Sequence, residues 1–257
     1  MRAAQTMLAR INPHKNDGDI VFKASSHEYT VKGCPPTTSV TRLVHAQFRA
    51  FDADAVIDGM MARPNWPSSQ YFGNSKAEIK AQWNSNGAVA SAAGTKLHND
   101  IENYYNGVDV INTSPEFAQF IAFDQWRKEQ GLVPFRAEWT VYDREHMLAG
   151  TIDMCFWDTT SDTIAIYDWK RVKALRRSAF DNQKGVTSAC ESVPDSNYWH
   201  YSMQLGLYKW ILERNYGYTV SRTALVVLHP GQEHYEIHLT SPVAKAVDAV
   251  LSCRKVG

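Results

Sequence analysis

Neither sign of charge predominates in this chain: 27 lysines and arginines stand against 27 aspartates and glutamates over 257 residues, a formal net charge of zero. An overall basic balance of the kind that marks polyanion binding is absent, so any such surface must come from local clustering. Cysteine is scarce. Cys34, Cys155, Cys190 and Cys253 show neither CxxC nor any other metal-ligand spacing, so they read as reduced thiols of an intracellular protein, with no zinc ribbon and no iron–sulfur cluster. No apolar run approaches the length of a bilayer span, and no membrane partner is expected. Internal repeats, low-complexity tracts and a secretory signal are missing too. The first sixteen residues hold Arg2, Arg10 and Lys15 and no acid, a composition shared with short mitochondrial targeting segments.

What is plentiful is apolar and aromatic. Hydrophobic residues make up 44% of the chain and include twelve tyrosines and eight tryptophans, enough for a folded chain with a sizeable interior. The stretch Gly150–Lys170 organises the rest. Two alternating runs, 150–158 and 163–170, flank the turn-forming Thr159-Thr-Ser-Asp162 and predict a β-hairpin. A four-residue loop pairs Asp158 with Thr163, and in that register Trp157 faces Ile164, Cys155 faces Ile166, Asp153 faces Asp168 and Thr151 faces Lys170. The opposite face sets Phe156 against Ala165, Met154 against Tyr167 and Ile152 against Trp169, wholly apolar and in need of cover. Two carboxylates directly opposed in a sheet repel unless something cationic lies between them. A divalent metal with Lys170 beside it resolves that repulsion; an exposed acid pair with Lys170 as its partner fits the same letters.

An opening hairpin is expected over 18–33, and Cys34-Pro-Pro then breaks regular structure. Ser39 or Thr38 caps a helix whose first turn carries Thr41 and Arg42, a place able to hold a phosphate or simply an ordinary cap. Helices are predicted at 52–61, 75–85 and 87–106, the last closed by Asn106-Gly107. On that last helix His98 and Glu102 stand one turn apart, the spacing of a ligand with its orienting partner and equally of a surface contact. A helix over 116–130, ended by Gly131, leads to a strand at 133–141 and then the hairpin, the order of a three-stranded antiparallel meander packed on a helix.

Directly after the hairpin, Lys170-Arg-Val-Lys-Ala-Leu-Arg-Arg177 holds five bases in eight residues. Arg171, Lys173, Arg176 and Arg177 thus emerge from the charged end of the hairpin, where a polyanion would be held. Residues 181–197 read as a mobile polar loop. A long helix from Tyr198 to Glu213 carries Gln204 and Tyr208 on one face, and two strands, 223–229 and 235–239, with a short helix after them complete the pattern.

Ser39-Val-Thr41, Gly94-Thr-x-x-His98-x-x-Ile-Glu102, Gly150-x-x-Asp153, Asp168-x-Lys170 and Gln204-x-x-x-Tyr208 follow one another in an order that resembles the PD-(D/E)XK nuclease superfamily. The resemblance is to its RecB-like branch, with the mitochondrial genome maintenance exonucleases and viral and phage relatives among the similar proteins. It implies an α/β (α+β) fold: a restriction-endonuclease-like core with a mixed central sheet flanked by helices, plus an N-terminal helical elaboration. The whole chain would be one nuclease domain, the elaboration at about 1–86 and the core at about 87–257. Carried over by residue, His98, Asp153, Asp168 and the Trp169 carbonyl are expected to hold one or two Mg²⁺ or Mn²⁺ ions. Lys170 is expected to serve the attacking water and the phosphate, Glu102 to support the ligands, and Gln204 and Tyr208 to brace the site or touch DNA. The implied activity is a metal-dependent deoxyribonuclease, an exonuclease acting on DNA ends; single strands are somewhat favoured because the plentiful aromatic residues could stack unpaired bases. A structure-specific or restriction-type endonuclease, a catalytically silent nucleic-acid-binding module and a non-enzymatic interaction protein are the alternatives. Relatives that carry an iron–sulfur cluster have a cysteine spacing this chain lacks.

Overall fold

The computed structural model describes residues 6–254. They divide into two compact units, one formed by the chain up to Arg49 together with the chain from Leu97 onward, the other by Ala50–Lys96. The opening hairpin therefore belongs with the core, and the separate helical segment ends ten residues beyond the expected boundary at 86.

In the larger unit a short helix α1 (Met7–Ile11) precedes the hairpin β1 (Ile20–Lys23) and β2 (Glu28–Val31). Next come β3 (Thr38–Ser39) and α2 (Val40–His45), the latter capped by the Ser39 hydroxyl, which accepts from the Arg42 amide. After the smaller unit follow α5 (Pro115–Glu129), β4 (Leu132–Asp143), β5 (Leu148–Asp158) and β6 (Thr163–Lys170). The chain ends with α6 (Asn197–Asn215), β7 (Val220–Val227), β8 (Glu236–Leu239) and α7 (Ala244–Ser252). The mixed α/β architecture expected from the sequence is present: β3-β5-β6-β7-β8 form a central sheet, with β4 on the other edge of β5. β4, β5 and β6 are the antiparallel meander, whereas β6 and β7 run parallel, a pairing that needs a crossover, supplied by α6.

Both faces of this sheet are covered, which is why its strands read as nearly continuous apolar runs. Against one face lie α2, α6 and α7, with Val44, Leu207, Ile211 and Val247 meeting Cys155, Ile164 and Ile166. Against the other lie α5 and the end of the preceding helix, with Ile101, Phe120 and Phe123 meeting Met154, Phe156, Tyr167 and Trp169. The β1–β2 hairpin closes a third, smaller cluster through Ile20, Val31, Tyr142 and Ala149.

In the smaller unit α3 (Ala53–Met61) is capped by Asp52, and Ile57 is buried; Ile79 is buried on the long helix α4 (Lys76–Tyr105). α4 begins with a reciprocal cap in which Ser75 and Glu78 bond one another's backbone amides. It replaces the two helices expected at 75–85 and 87–106. The Asn84–Ser91 stretch of polar and small residues, with Gly87 in it, resembled a boundary, yet nothing in it clashes with helical geometry and the turns run on unbroken to Gly107, whose φ of 74° ends the helix.

Other corrections are local. Thr38 and Ser39, expected to be irregular or a helix cap, also pair in parallel with Leu148 and Ala149. The 181–197 segment packs rather than hanging free: Cys190 and Val193 are buried, and the Val186 amide donates to the Gln47 carbonyl. Among the described residues no helix is long and apolar enough to cross a membrane.

Candidate functional site

The hairpin register holds as expected from Asp158↔Thr163 through Met154↔Tyr167, and the ladder stops there, one position short of the two aspartates. Beyond that point β5 and β6 diverge. β6 stays paired with β7 as far as Lys170↔Val227, while β5 next meets β3 at Ala149 and Leu148. A notch is thus left along one edge of β5 from Gly150 to Asp153. Within it the Trp169 amide donates to Asp153 Oδ2 at 3.0 Å, so a side chain takes the place of the missing ladder bond.

The other edge of β5 is irregular at the same level. β4 pairs Ala137↔Met154 and Trp139↔Ile152, skipping Glu138 opposite Asp153, and Glu138 has a φ of 45°. This left-handed residue swaps the faces of both strands. Ala137 and Met154 lie in the cluster under α5, but Trp139 and Ile152 lie in the cluster under α6. Ile152 therefore does not share a face with Trp169, contrary to the simple alternation expected. The same switch turns the Glu138 carboxylate toward Asp153.

His98, on the last turns of α4, completes the group. Its Nε2 donates to the Trp169 carbonyl at 3.0 Å, and its Nδ1 stands 3.4 Å from Asp153 Oδ2 and 3.9 Å from Glu138 Oε1. Ligand atoms of His98, Glu138 and Asp153 all lie within 4.8 Å of one another. Burial would depress the imidazole, but the carboxylates of Asp153 and Glu138 outweigh it and raise the pKa of His98 to about 9. Asp153 is shifted upward by burial and by Glu138, with His98 and Lys170 opposing.

Asp168 is 2% exposed, and the Lys170 ammonium lies 2.6 Å from its Oδ2, the one partner of this buried oxygen among the described residues. Burial and then the nearby Asp153 push the Asp168 carboxyl upward. Lys170 is driven the other way by burial, yet Asp168 and Asp153 hold it firmly protonated.

α6 closes the site. The Tyr201 ring lies 4.5 Å from Lys170 Nζ. Gln204 Nε2 bonds the Tyr208 and Thr41 hydroxyls, each at 3.4 Å. Tyr208 is buried against Gly150, where an added Cβ would come within 2.7 Å of the ring, which accounts for the glycine three residues before Asp153. From the opening hairpin, Tyr29 bonds the Thr151 hydroxyl at 2.9 Å, and burial, aided by Glu138 and Asp153, pushes its phenol upward.

The structure thus brings together His98, Asp153, Asp168, the Trp169 carbonyl, Lys170, Gln204, Tyr208 and Thr41, and adds Glu138, Tyr29 and Tyr201, which the motif reading left out. Glu102 is not drawn in. Its carboxyl is shifted upward by burial alone and its side chain makes no hydrogen bond or ion pair among the described residues. Ser39 is spent on its cap, and Arg42 is exposed on a helix of only six residues. Arg171 is not a free cation: its Nε donates to the buried Glu116 at 2.6 Å. Lys173, Arg176 and Arg177 are exposed, and Arg177 lies over the Tyr198 ring at 4.0 Å. A cavity of about 420 Å³, lined by Lys209, Trp210, Arg222 and Val243 among others, touches none of the cluster residues.

No family model matches this chain, and no curated protein matches it. A solved structure described as "Crystal structure of SSO0001" is similar at 13% identity over 85% of this chain and 77% of that one, with a TM-score of 0.31.

Proposed function

We propose that this protein is a Mg²⁺- or Mn²⁺-dependent deoxyribonuclease of the PD-(D/E)XK type, an exonuclease acting on DNA ends. One observation carries the reading: His98, Glu138 and Asp153 offer ligand atoms within 4.8 Å of one another where the β5–β6 ladder ends, and the Asp168–Lys170 ion pair, outside that group, is close enough for Asp153 to act on Asp168. A folded chain crowds three carboxylates only where something compensates them. The donor set fits a hard divalent cation, because carboxylate oxygens dominate it, one imidazole tilts it toward Mn²⁺, and buried Asp168 Oδ2 has the Lys170 ammonium alone against it among the described residues. Asp153, Asp168, Glu138, His98 and the Trp169 carbonyl are the residues that would hold it. When bound, such an ion polarises the phosphodiester and makes a hydroxide-like nucleophile available at neutral pH.

The chain's own residues do the rest. Lys170, the final residue of β6, keeps its charge at the mouth of the notch, where it orients the attacking water and offsets charge growing on the phosphate. His98 would serve such an ion as the neutral imidazole, through the Nδ1 that faces Asp153 and Glu138, its proton going to solvent. Lys173, Arg176 and Arg177 supply phosphate contacts beyond the notch. The rich aromatic supply favours unpaired strands, whose bases stack on rings.

The test is digestion of end-labelled linear single-stranded, linear double-stranded and covalently closed circular DNA with Mg²⁺ or Mn²⁺, beside Asp168→Ala and Lys170→Ala. Loss of linear DNA alone, abolished by both variants, is expected. Nicking of circles points instead to an endonuclease, and a wild type as inert as the variants while still binding DNA ends the enzyme reading.

A further inference from the structure

We propose that Tyr201 is the positioning residue for Lys170, holding the ammonium against the face of its ring. The inference rests on the nuclease reading above, and Tyr201 belongs to none of the motifs on which that reading was first built.

Lys170 is a long, flexible side chain with a task that needs a fixed place. Its backbone is secured, since it pairs with Val227 and its carbonyl accepts from the Leu228 amide at 2.9 Å. The four-carbon stem beyond has its own rotamers, and two groups limit them. Asp168 takes the ammonium at 2.6 Å, and the Tyr201 ring takes it at 4.5 Å from the centroid, within the range of a cation–π contact. Asp168 alone is a poor guide, because a carboxylate that also serves a metal must share its oxygens. The ring makes no such demand: it offers a face of negative potential, keeps water off one side of the ammonium and competes for no ligand.

The geometry of α6 makes this a built contact. Tyr201, Gln204 and Tyr208 recur at the three- and four-residue spacings of one helical face, and that face carries Lys170, Thr41 and Gly150 as its neighbours. Met203, Leu207 and Ile211, pointing elsewhere, are fully buried and fix the rotation of the helix. None of the described hydrogen bonds uses the Tyr201 hydroxyl. The ring face, not the hydroxyl, is the working part, so phenylalanine should substitute and an aliphatic residue should not.

The full-length wild type, Tyr201→Phe and Tyr201→Leu are compared on linear DNA with Mn²⁺, together with the lysine ammonium signals in a proton–nitrogen correlation spectrum, Lys170 being assigned by its loss in Lys170→Arg. Tyr201→Leu is expected to lower kcat by about tenfold with KM changed by less than about twofold, because the ring touches the lysine and not the DNA. Tyr201→Phe should recover most of the turnover. The Lys170 signal should be displaced by the ring current in wild type and Tyr201→Phe and return to the ordinary lysine position in Tyr201→Leu. An active wild type whose kcat is unmoved in Tyr201→Leu overturns the positioning role, and an undisplaced Lys170 signal overturns the contact itself. An inert wild type with the displaced signal overturns the nuclease reading, and the role in turnover with it. Loss of both kcat and overall folding in Tyr201→Leu, with Tyr201→Phe as impaired as Tyr201→Leu, also counts against the ring-face role.

Discussion

At the scale of single residues, Glu138 pairs a local strain with a chemical opportunity. A non-glycine residue at a φ of 45° inside a strand is disfavoured by roughly 1 kcal/mol or more, and such positions persist where the surroundings demand them. Here the demand is that the carboxylate turn toward His98 and Asp153. Glycine at this position keeps the backbone without the strain, though it adds freedom to the unfolded chain. Glu138→Gly should therefore match or slightly exceed wild-type stability in the presence of a chelator. It should lose most of the stabilisation that the proposed site predicts for wild type with Mn²⁺, about 2.7 kcal/mol at a hundredfold excess over Kd. Thermal unfolding with and without Mn²⁺ reads both effects, and a variant that is destabilised yet still responds fully to the metal removes Glu138 from the site. Gly150 was visible as part of a motif, but its reason, the Tyr208 ring seated on it, belongs to a fold that brings together residues 58 positions apart.

Secondary-structure elements differ in how much of them the sequence discloses. The β5–β6 register was legible because a four-residue turn leaves one pairing, which holds from Asp158↔Thr163 to Met154↔Tyr167; the expected Asp153↔Asp168 and Thr151↔Lys170 pairs lie beyond the end of the ladder. The end of that ladder was not legible, nor was the switch of faces at Glu138, where one left-handed residue sits in a strand whose letters give no sign of it. β3 is two residues long and exists only because β5 lies beside it. The basic run looked uniform by composition; in the fold it splits, because Arg171 is locked to Glu116 while Arg176 and Arg177 face solvent. Arg171→Ala should accordingly cost about 3 kcal/mol of stability by leaving Glu116 buried and unpaired, with little change in the salt dependence of DNA binding. Arg176→Ala with Arg177→Ala should do the reverse, reducing the slope of log affinity against log salt by about 1 to 2, with stability lowered by no more than about 1 kcal/mol for the lost Arg177–Tyr198 ring contact. Binding isotherms across a salt series, set beside denaturation curves, distinguish the two.

β4 supplies an acid-sensitive link of its own. Arg136 donates twice to Asp17, at 2.8 and 3.2 Å, and Trp139 adds a third bond, tying the turn before β1 to the strand that bears Glu138. Burial pushes the Asp17 carboxyl upward, but the bonds from Arg136, the His14 amide and Trp139 prevail and hold it below its ordinary value of 3.8. A depressed carboxylate contributes its full stability above the unfolded value and loses it as pH falls through the folded one. Asp17→Asn should thus be less stable than wild type at pH 7, by about 3 kcal/mol. The gap should narrow once pH drops below about 4. Denaturant midpoints from pH 7 down to pH 3 follow this, and a gap that stays constant throughout means the carboxylate is not doing the holding.

On the scale of the whole molecule, the two units have very unequal interiors. Within Ala50–Lys96 only Ile57 and Ile79 are fully buried among the described hydrophobic residues, while the rest of the chain holds clusters on both faces of a sheet. Residues 84–91, on α4 inside this smaller unit, are exposed throughout. Helical turns without an apolar face in a core depend on propensity and capping, and these sustain only marginal stability in water. Local opening should therefore cost far less in Ala50–Lys96 than in β5 and β6. Hydrogen exchange followed by peptide mass is expected to show 84–91 exchanging orders of magnitude faster than 150–158 and 163–170. Adding Mn²⁺ should slow the β5 and β6 peptides, whose residues include Asp153 and Asp168, and leave those of α3 unchanged, because a ligand protects only openings that release it. Equal protection of both units by the metal would mean that they open as one cooperative body, and that the ladder's end at Met154 and Tyr167 is not where metal binding is felt first.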